Sequence, residues 1–249
     1  MAQKKQEGSE TPADGPLAAG EARPSSECTS LQSRSAALHP PEVSGWVLYA
    51  SDGRSASFKA LMQRAYEDYV LGGPRLTNLN ALIRINVLNA MANNATRMGF
   101  TSPGLCDDDH ISPYSLLGPP PPQQPTLPSP SCPECLLPTA VQKRLSHHPW
   151  IDLLPFPRFR DNTILGIEAG LLDEDELCMD ISELPDTVKD RNPTLIVWGE
   201  PWNCRAWEVT PDFLRKWGWL LRGCPEILEA TNYWRMTRGE KKLIFDPRF

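Results

Sequence analysis

Residues 194–236 read TLIVWGEPWNCRAWEVTPDFLRKWGWLLRGCPEILEATNYWRM, and this stretch decides the fold. It opens on β-branched and aliphatic residues from Thr194 to Trp198, ended by Gly199, which is the one clear strand pattern in the chain. From Thr210 the pattern changes. Thr210 and Pro211 suit the N-cap and first turn of a helix. Phe213, Leu214, Trp217, Leu220 and Leu221 then give it an apolar face as far as Gly223. A last helix is predicted from Pro225 to Arg238, before Gly239. One strand beside two helices predicts a domain that is mainly α with minor β.

The same stretch holds six of the eight tryptophans. Each ring buries on the order of 150–250 Å², so a small core filled with large aromatics is the first reading. A groove for a peptide or a planar ligand is the second, and it requires some rings to be exposed together. Trp217 and Trp219 are two residues apart and cannot share a helix face, so one of them belongs at an edge.

Outward from this stretch the pattern is uneven. Residues 139–146 predict a short helix from Ala140 to Ser146, followed by His147-His148-Pro149-Trp150. Residues 151–157 mix apolar groups with Pro155 and Pro157 and predict a rigid irregular segment. Residues 161–190 hold ten acids and one lysine; Leu171, Leu172, Leu177, Met179 and Ile181 lie among them. That composition suits an amphipathic helix and loop docked on the tryptophan-rich part, with an acidic activation segment as the rival reading. Further back, Phe58, Leu61, Met62, Ala65, Tyr66, Tyr69 and Val70 recur at helical spacing, and Gly72-Gly73-Pro74 ends that helix. A second helix, capped at Thr77 or Asn78, carries Leu79, Ile83, Val87, Met91, Ala95 and Met98 and stops at Gly99. Together they predict an αα-hairpin.

Composition sets the remaining boundaries. Of 249 residues 26 are proline, and nine of these fall between Pro119 and Pro138. This excludes one uninterrupted run of helices or strands across the chain. The predicted organisation is a disordered tail over 1–45, a first helical segment over 46–117, a proline-rich linker over 118–138, and a tryptophan-rich segment of the same domain over 139–249. The P-x-x-P spacing at Pro119, Pro122, Pro125 and Pro128 suits an SH3-type groove, but no Lys or Arg flanks it to fix orientation. The net charge of −6 departs from the basic balance usual in nucleic-acid binders. No apolar run approaches the roughly 20 residues that span a bilayer, and the N-terminus lacks a secretory h-region. An intracellular protein, nuclear or cytoplasmic, with no membrane contact is expected. Seven cysteines at scattered spacing do not form a disulfide framework.

Motifs with known chemistry are sparse. Cys132-Pro133-Glu134-Cys135 is a lone C-x-x-C, and only His147 and His148 stand as complements toward the four ligands of a zinc site. Asp107, Asp108, Asp109 and His110 read as a solvated loop. Asp152 and His147 have acid and base character, but no nucleophile accompanies them. There is no P-loop and no dinucleotide fingerprint. No cofactor and no enzymatic activity is expected.

Several blocks carry a resemblance. They are His147 to Pro157 with Arg160-Asp161-Asn162, Asp173 to Cys178, Trp198-Gly199-Glu200-Pro201-Trp202, Trp207-Glu208, Phe213 to Cys224, and Thr231-Asn232-Tyr233-Trp234-Arg235. The stretch from Leu79 to Pro113 continues it. The sequence resembles a fungal domain of unknown function found C-terminal to basic leucine-zipper regions in transcription-factor-like proteins. The motif positions it singles out are Trp150, Asp152, Arg160, Asp161, Asn162, Trp202, Trp217, Asn232 and Trp234, with no catalytic role attached. The resemblance implies transcriptional regulation through protein contacts, in stress response or secondary metabolism, with a basic leucine-zipper factor as partner. A basic arm followed by leucine heptads does not precede the domain here, so the chain reads as a stand-alone member or as a gene reading that lacks the zipper. Two alternatives stand beside it. One is an enzyme or small-ligand binder with a tryptophan-lined pocket around Asp152, Arg160 and Asp161. The other is direct DNA binding through Arg215, Lys216, Arg222, Arg235, Arg238, Lys241 and Lys242, which a contiguous basic face would support and interleaved acids would not.

Overall fold

Helix α1 spans Leu79–Met98 and ends where Gly99 turns the chain at a φ of 79°. The computed structural model describes residues 79–100, 104–107, 109–115, 132–182 and 192–245, with scattered positions between 48 and 71. The expected tail over 1–45 and the proline-rich stretch over 118–131 lie outside the described residues. Of the expected helix over 57–71, positions 59–60, 62–64, 67–68 and 70 are helical, and the rest, with the hairpin turn after it, lie outside them too.

The second segment supplies α2 (Ala140–Arg144), α3 (Pro149–Asp152), α4 (Pro157–Glu168) and α5 (Glu174–Ser182). Strands β1 (Leu195–Val197) and β2 (Trp207–Val209) follow, then α6 (Pro211–Trp217) and α7 (Pro225–Thr237). The fold is mainly helical with a small sheet. The strands pair antiparallel, Leu195 opposite Val209 and Val197 opposite Trp207. Helix α1 packs along β1 and against α5, while α7 covers β2. The sheet therefore sits between one helix from each sequence segment.

Helix α1 is buried more widely than its single predicted stripe. Ile85, Leu88, Ala90 and Ala92 are buried along with Val87, Met91, Ala95 and Met98, whereas Leu79 is exposed. A helix wedged between a strand and another helix needs apolar groups on two sides. Trp150, Trp207, Phe156 and Phe213 are the largest apolar side chains sealed in the core. Each such phenylalanine contributes about 2 kcal/mol by burial.

Four segments differ from expectation. Residues 149–152 and 157–168 are helical, because Pro149 and Pro157 each occupy a first-turn position whose N–H no helix would use, and only 153–156 between them keep the irregular, buried course that was expected. The Thr194–Trp198 strand has a partner, β2, which the sequence pattern did not single out. The helix beginning at Pro211 changes to a 3-10 turn over Gly218–Leu221. That turn swings Trp219 onto α4, where a Cβ added to Gly166 would lie 3.0 Å from the indole Cη2. Residues 132–138, assigned to the linker, pack onto the domain: Glu134–Leu136 forms a 3-10 turn and Leu136 is fully buried.

Candidate functional site

The polar centre is built around Asp152, at the end of α3 and without solvent exposure. Its Oδ2 accepts from Ser112 Oγ at 2.6 Å. Its Oδ1 accepts from His147 Nε2 at 2.8 Å and from Gln142 Nε2. His147 Nδ1 faces the Leu145 carbonyl at 2.8 Å, and a carbonyl only accepts, so that nitrogen carries a proton. Opposite a carboxylate oxygen Nε2 donates only when the ring is protonated, so the arrangement favours the imidazolium form. Burial alone would lower the His147 pKa; the hydrogen bond and charge of Asp152, with the Leu145 carbonyl, outweigh it and raise the value above its ordinary range.

Arg160 lies beside this pair and is also fully buried. It donates to Gln142 Oε1 at 3.1 Å and to the carbonyls of Cys135, Leu154 and Leu137 at 2.9, 2.9 and 2.8 Å. Burial lowers its pKa below the ordinary arginine value, and Asp152 opposes that shift. Thr139 and Gln142 form a capping box on α2, which aims the Gln142 side chain at both Asp152 and Arg160. Gln142 and Ser112 were not singled out from the sequence. The Thr-x-x-Gln spacing was the available signal for the first; the second lay only within the resembling stretch from Leu79 to Pro113. The alternative of a catalytic pocket required this cluster to open onto a cavity. Asp152, Arg160, His147 and Gln142 are not among the residues that line the three cavities beside Gly218–Pro225, Trp198–Trp234 and Asp212–Trp217.

The other motif positions act as staples. Asp161 Oδ1 accepts from Thr139 Oγ1 at 2.5 Å. Asn162 Nδ2 donates to the carbonyls of Leu220 and Arg222, both at 2.8 Å. Trp150 Nε1 donates to Glu174 at 3.2 Å and Trp217 Nε1 to Asp180 at 2.9 Å. Trp202 lies under the Arg97 guanidinium, 3.3 Å from its ring centre. Asn232 pairs with the backbone of Leu243 in both directions, at 3.1 and 2.7 Å. Cys135 Sγ donates to the Trp202 carbonyl at 2.6 Å, and burial pushes its pKa up, so it is a thiol rather than a thiolate. Among the described residues no group of three or more His, Cys, Asp and Glu side chains is placed to hold a metal.

Trp234 belongs to a second arrangement that faces solvent. Its ring stacks on Trp198 at 5.3 Å with an interplanar angle of 18°. Tyr233 meets Trp234 edge-on at 5.1 Å, and Arg238 lies over Trp198 at 4.8 Å. Tyr233 is 62 % exposed and Trp198 40 %. Glu208, 1 % exposed on β2, fixes the ladder: it accepts from Trp198 Nε1 at 2.8 Å and takes both terminal nitrogens of Arg238 at 2.7 and 2.8 Å. Trp234 Nε1 donates to the Arg205 carbonyl at 2.8 Å. These rings edge an open groove of about 460 Å³, completed by Glu200, Asn203, Arg205 and Glu229. The sequence reading named Trp234 but not Trp198, Tyr233 or Glu208 as site residues.

Four of the seven cations expected to form a DNA face are paired with acids. Arg215 pairs with Asp212, Lys216 with Glu176 and Asp180, Arg235 with Glu240, and Arg238 with Glu208 and Glu240. Among the described residues no helix is long and apolar enough to cross a membrane.

These contacts define a helical domain with a sealed charged centre and an open aromatic groove. Residues 122–228 match the sequence model of a family described as a domain of unknown function (DUF3425). The match takes in Asp152, Arg160 and the sheet, and it ends before Glu229, Tyr233 and Trp234. No curated protein and no solved structure matches the chain.

Proposed function

We propose that the chain is a non-catalytic regulator of transcription that works by holding another protein, at a site that is nuclear or cytoplasmic. The observation that carries this reading is the solvent-facing ladder of Trp198, Trp234 and Tyr233 beside an open groove. Tyrosine and tryptophan offer large, stiff contact areas at low entropic cost and dominate protein interfaces. The resemblance to the fungal zipper-associated domain supplies the partner: a basic leucine-zipper factor, in stress response or secondary metabolism. Direct DNA contact is disfavoured by the interleaved acids, since each paired cation gives up an internal partner before it neutralises a phosphate. A small planar ligand in the same groove is the second reading, because about 460 Å³ falls within the range of small-molecule sites.

The test is affinity capture of the tagged full chain from nuclear extract, with a duplex-binding assay on the same preparation. A zipper protein is expected with wild type and is depleted with Tyr233→Ala, and the purified chain alone leaves duplex DNA unshifted. Tight duplex binding by the chain alone, or capture indifferent to Tyr233→Ala, refutes the proposal.

A further inference from the structure

We infer that the aromatic groove takes an extended proline-rich segment of a partner protein, with a lysine or arginine next to the prolines. This rests on the protein-contact reading above and names the chemistry of the contact. Three features of the groove converge on it.

The first is a preformed apolar surface. Both indole N–H groups are committed within the protein, Trp198 to Glu208 and Trp234 to the Arg205 carbonyl. The rings are thereby held, and a ligand need not order them. Polyproline II has no internal hydrogen bonds and a stiff backbone, so it lies on aromatic surfaces at little entropic cost. The second feature is a donor. Among the described residues the Tyr233 hydroxyl has no hydrogen-bond partner, and the residue is 62 % exposed, so it is free to donate to a ligand carbonyl. Proline-rich chains present unsatisfied carbonyls all along their length.

The third feature is charge. Glu200 and Glu229 line the groove, and among the described residues neither carboxylate has an ion-pair or hydrogen-bond partner. Arg205 is the one cation among the lining residues, which leaves a net of one negative charge. The complement is a cationic side chain, and an acidic segment or a nucleic acid is repelled. A caged methylammonium fits less well. Trp198 and Trp234 turn faces on each other and Arg238 lies over Trp198, so these faces do not box a cation. The chain's own proline-rich stretch over 119–138 also fits less well, because no lysine or arginine occurs between Met98 and Lys143.

The experiment titrates the full chain with four peptides, followed by tryptophan fluorescence and calorimetry. The first has P-x-x-P spacing with an arginine at one end. The second replaces that arginine with glutamate, the third replaces the prolines with alanine, and the fourth is residues 117–131 of this chain. The first is expected to bind, the second about tenfold more weakly, and the third not at all. Tyr233→Ala and Glu229→Lys are each expected to weaken the first peptide about tenfold or more while leaving the circular dichroism spectrum and urea midpoint in place. Equal binding of the second peptide overturns the inference. So does binding of residues 117–131 as tight as the first, which makes the chain's own segment the occupant. Self-association that Tyr233→Ala abolishes overturns it in favour of a second copy. If no peptide binds while Tyr233→Ala still loses the captured zipper protein, the contact reading stands and this inference falls. If that capture is also indifferent to Tyr233→Ala, both fall.

Discussion

Replacing Arg160 with methionine removes the one side chain that ties three backbone carbonyls and Gln142 together at zero exposure. The methionine keeps most of the volume and all of the apolar stem, so little of the effect comes from a cavity. Three carbonyls, of Cys135, Leu137 and Leu154, lose a donor, and Gln142 Oε1 keeps only the Thr139 N–H. Each buried acceptor left without a partner costs roughly 1–3 kcal/mol. The sum is not additive, because residues 135–137 end a segment that relaxes toward water once released. Charge balance offsets part of the loss, since Asp152 and His147 remain a neutral pair without Arg160. A net destabilisation of about 4 kcal/mol follows, within the range for breaking a buried ionic group. Against a total stability on the order of 5–15 kcal/mol, that is a large fraction.

Urea unfolding followed by tryptophan fluorescence measures it, with Arg222→Met as the exposed control expected to shift stability by less than about 0.5 kcal/mol. Native-state hydrogen exchange supplies the local readout. Protection is expected to fall first at Leu136 and Leu137, whose amides bond within the 132–137 turn that Arg160 holds down. Arg160→Lys is expected to recover little, because a single ammonium does not reach carbonyls lying in three directions. A loss below about 1 kcal/mol, or full recovery with lysine, would refute the claim that this guanidinium organises the centre.

Three further outcomes are expected. His147 has a raised folded-state pKa, so its stabilising contribution is whole below the unfolded value of about 6.5 and is lost as pH rises through the folded value; urea midpoints of wild type and His147→Gln should differ most in acid and converge as the pH is raised. Glu208→Gln keeps an acceptor for Trp198 but loses the ion pair with Arg238, which predicts a loss of about 2 kcal/mol in urea unfolding and a weaker near-ultraviolet dichroism from the stacked indoles. Cys178 has a lowered pKa because the hydrogen bond from the Cys106 thiol outweighs the effect of burial, while burial raises Cys132, Cys135 and Cys204. Mass spectrometry after brief alkylation across rising pH should find Cys178 modified first, and Cys106→Ala should delay it.

What the sequence disclosed divides along one physical line. Elements with their own start or stop signals were legible: Thr210 and Pro211 opening α6, Gly99 and Gly239 closing α1 and α7. Helix α4 was not. Its Arg160, Asp161 and Asn162 break the apolar periodicity, yet all three serve as contacts to distant segments rather than as a solvated face. Periodicity counts a polar residue as outward, so a helix whose polar groups satisfy distant carbonyls is invisible to it. Strand β2 was hidden for the same reason, because Glu208 between Trp207 and Val209 is buried against Arg238. The groove was half legible. Trp234 was named, but whether Trp198 stacks on it depends on the β1–β2 register and on α7 crossing β2, which no local pattern encodes.

This division also separates stability from recognition. Asp152, Arg160, Asn162 and Asn232 make their hydrogen bonds inside the protein, to backbone groups or to Ser112, Gln142 and His147. Tyr233, Glu200 and Glu229 have spare capacity, and their loss leaves no buried group unsatisfied. Substitutions in the first set should therefore lower the urea midpoint while the molecules that remain folded bind a partner with unchanged affinity. Substitutions in the second should do the reverse. Trp198 and Glu208 bridge the two sets, since Glu208 is a buried anion whose bonds aim an exposed ring. Glu208→Gln should therefore lower stability and partner affinity together, and a variant there that moved only one of them would show that the ladder is not held in place by the ion pair beneath it.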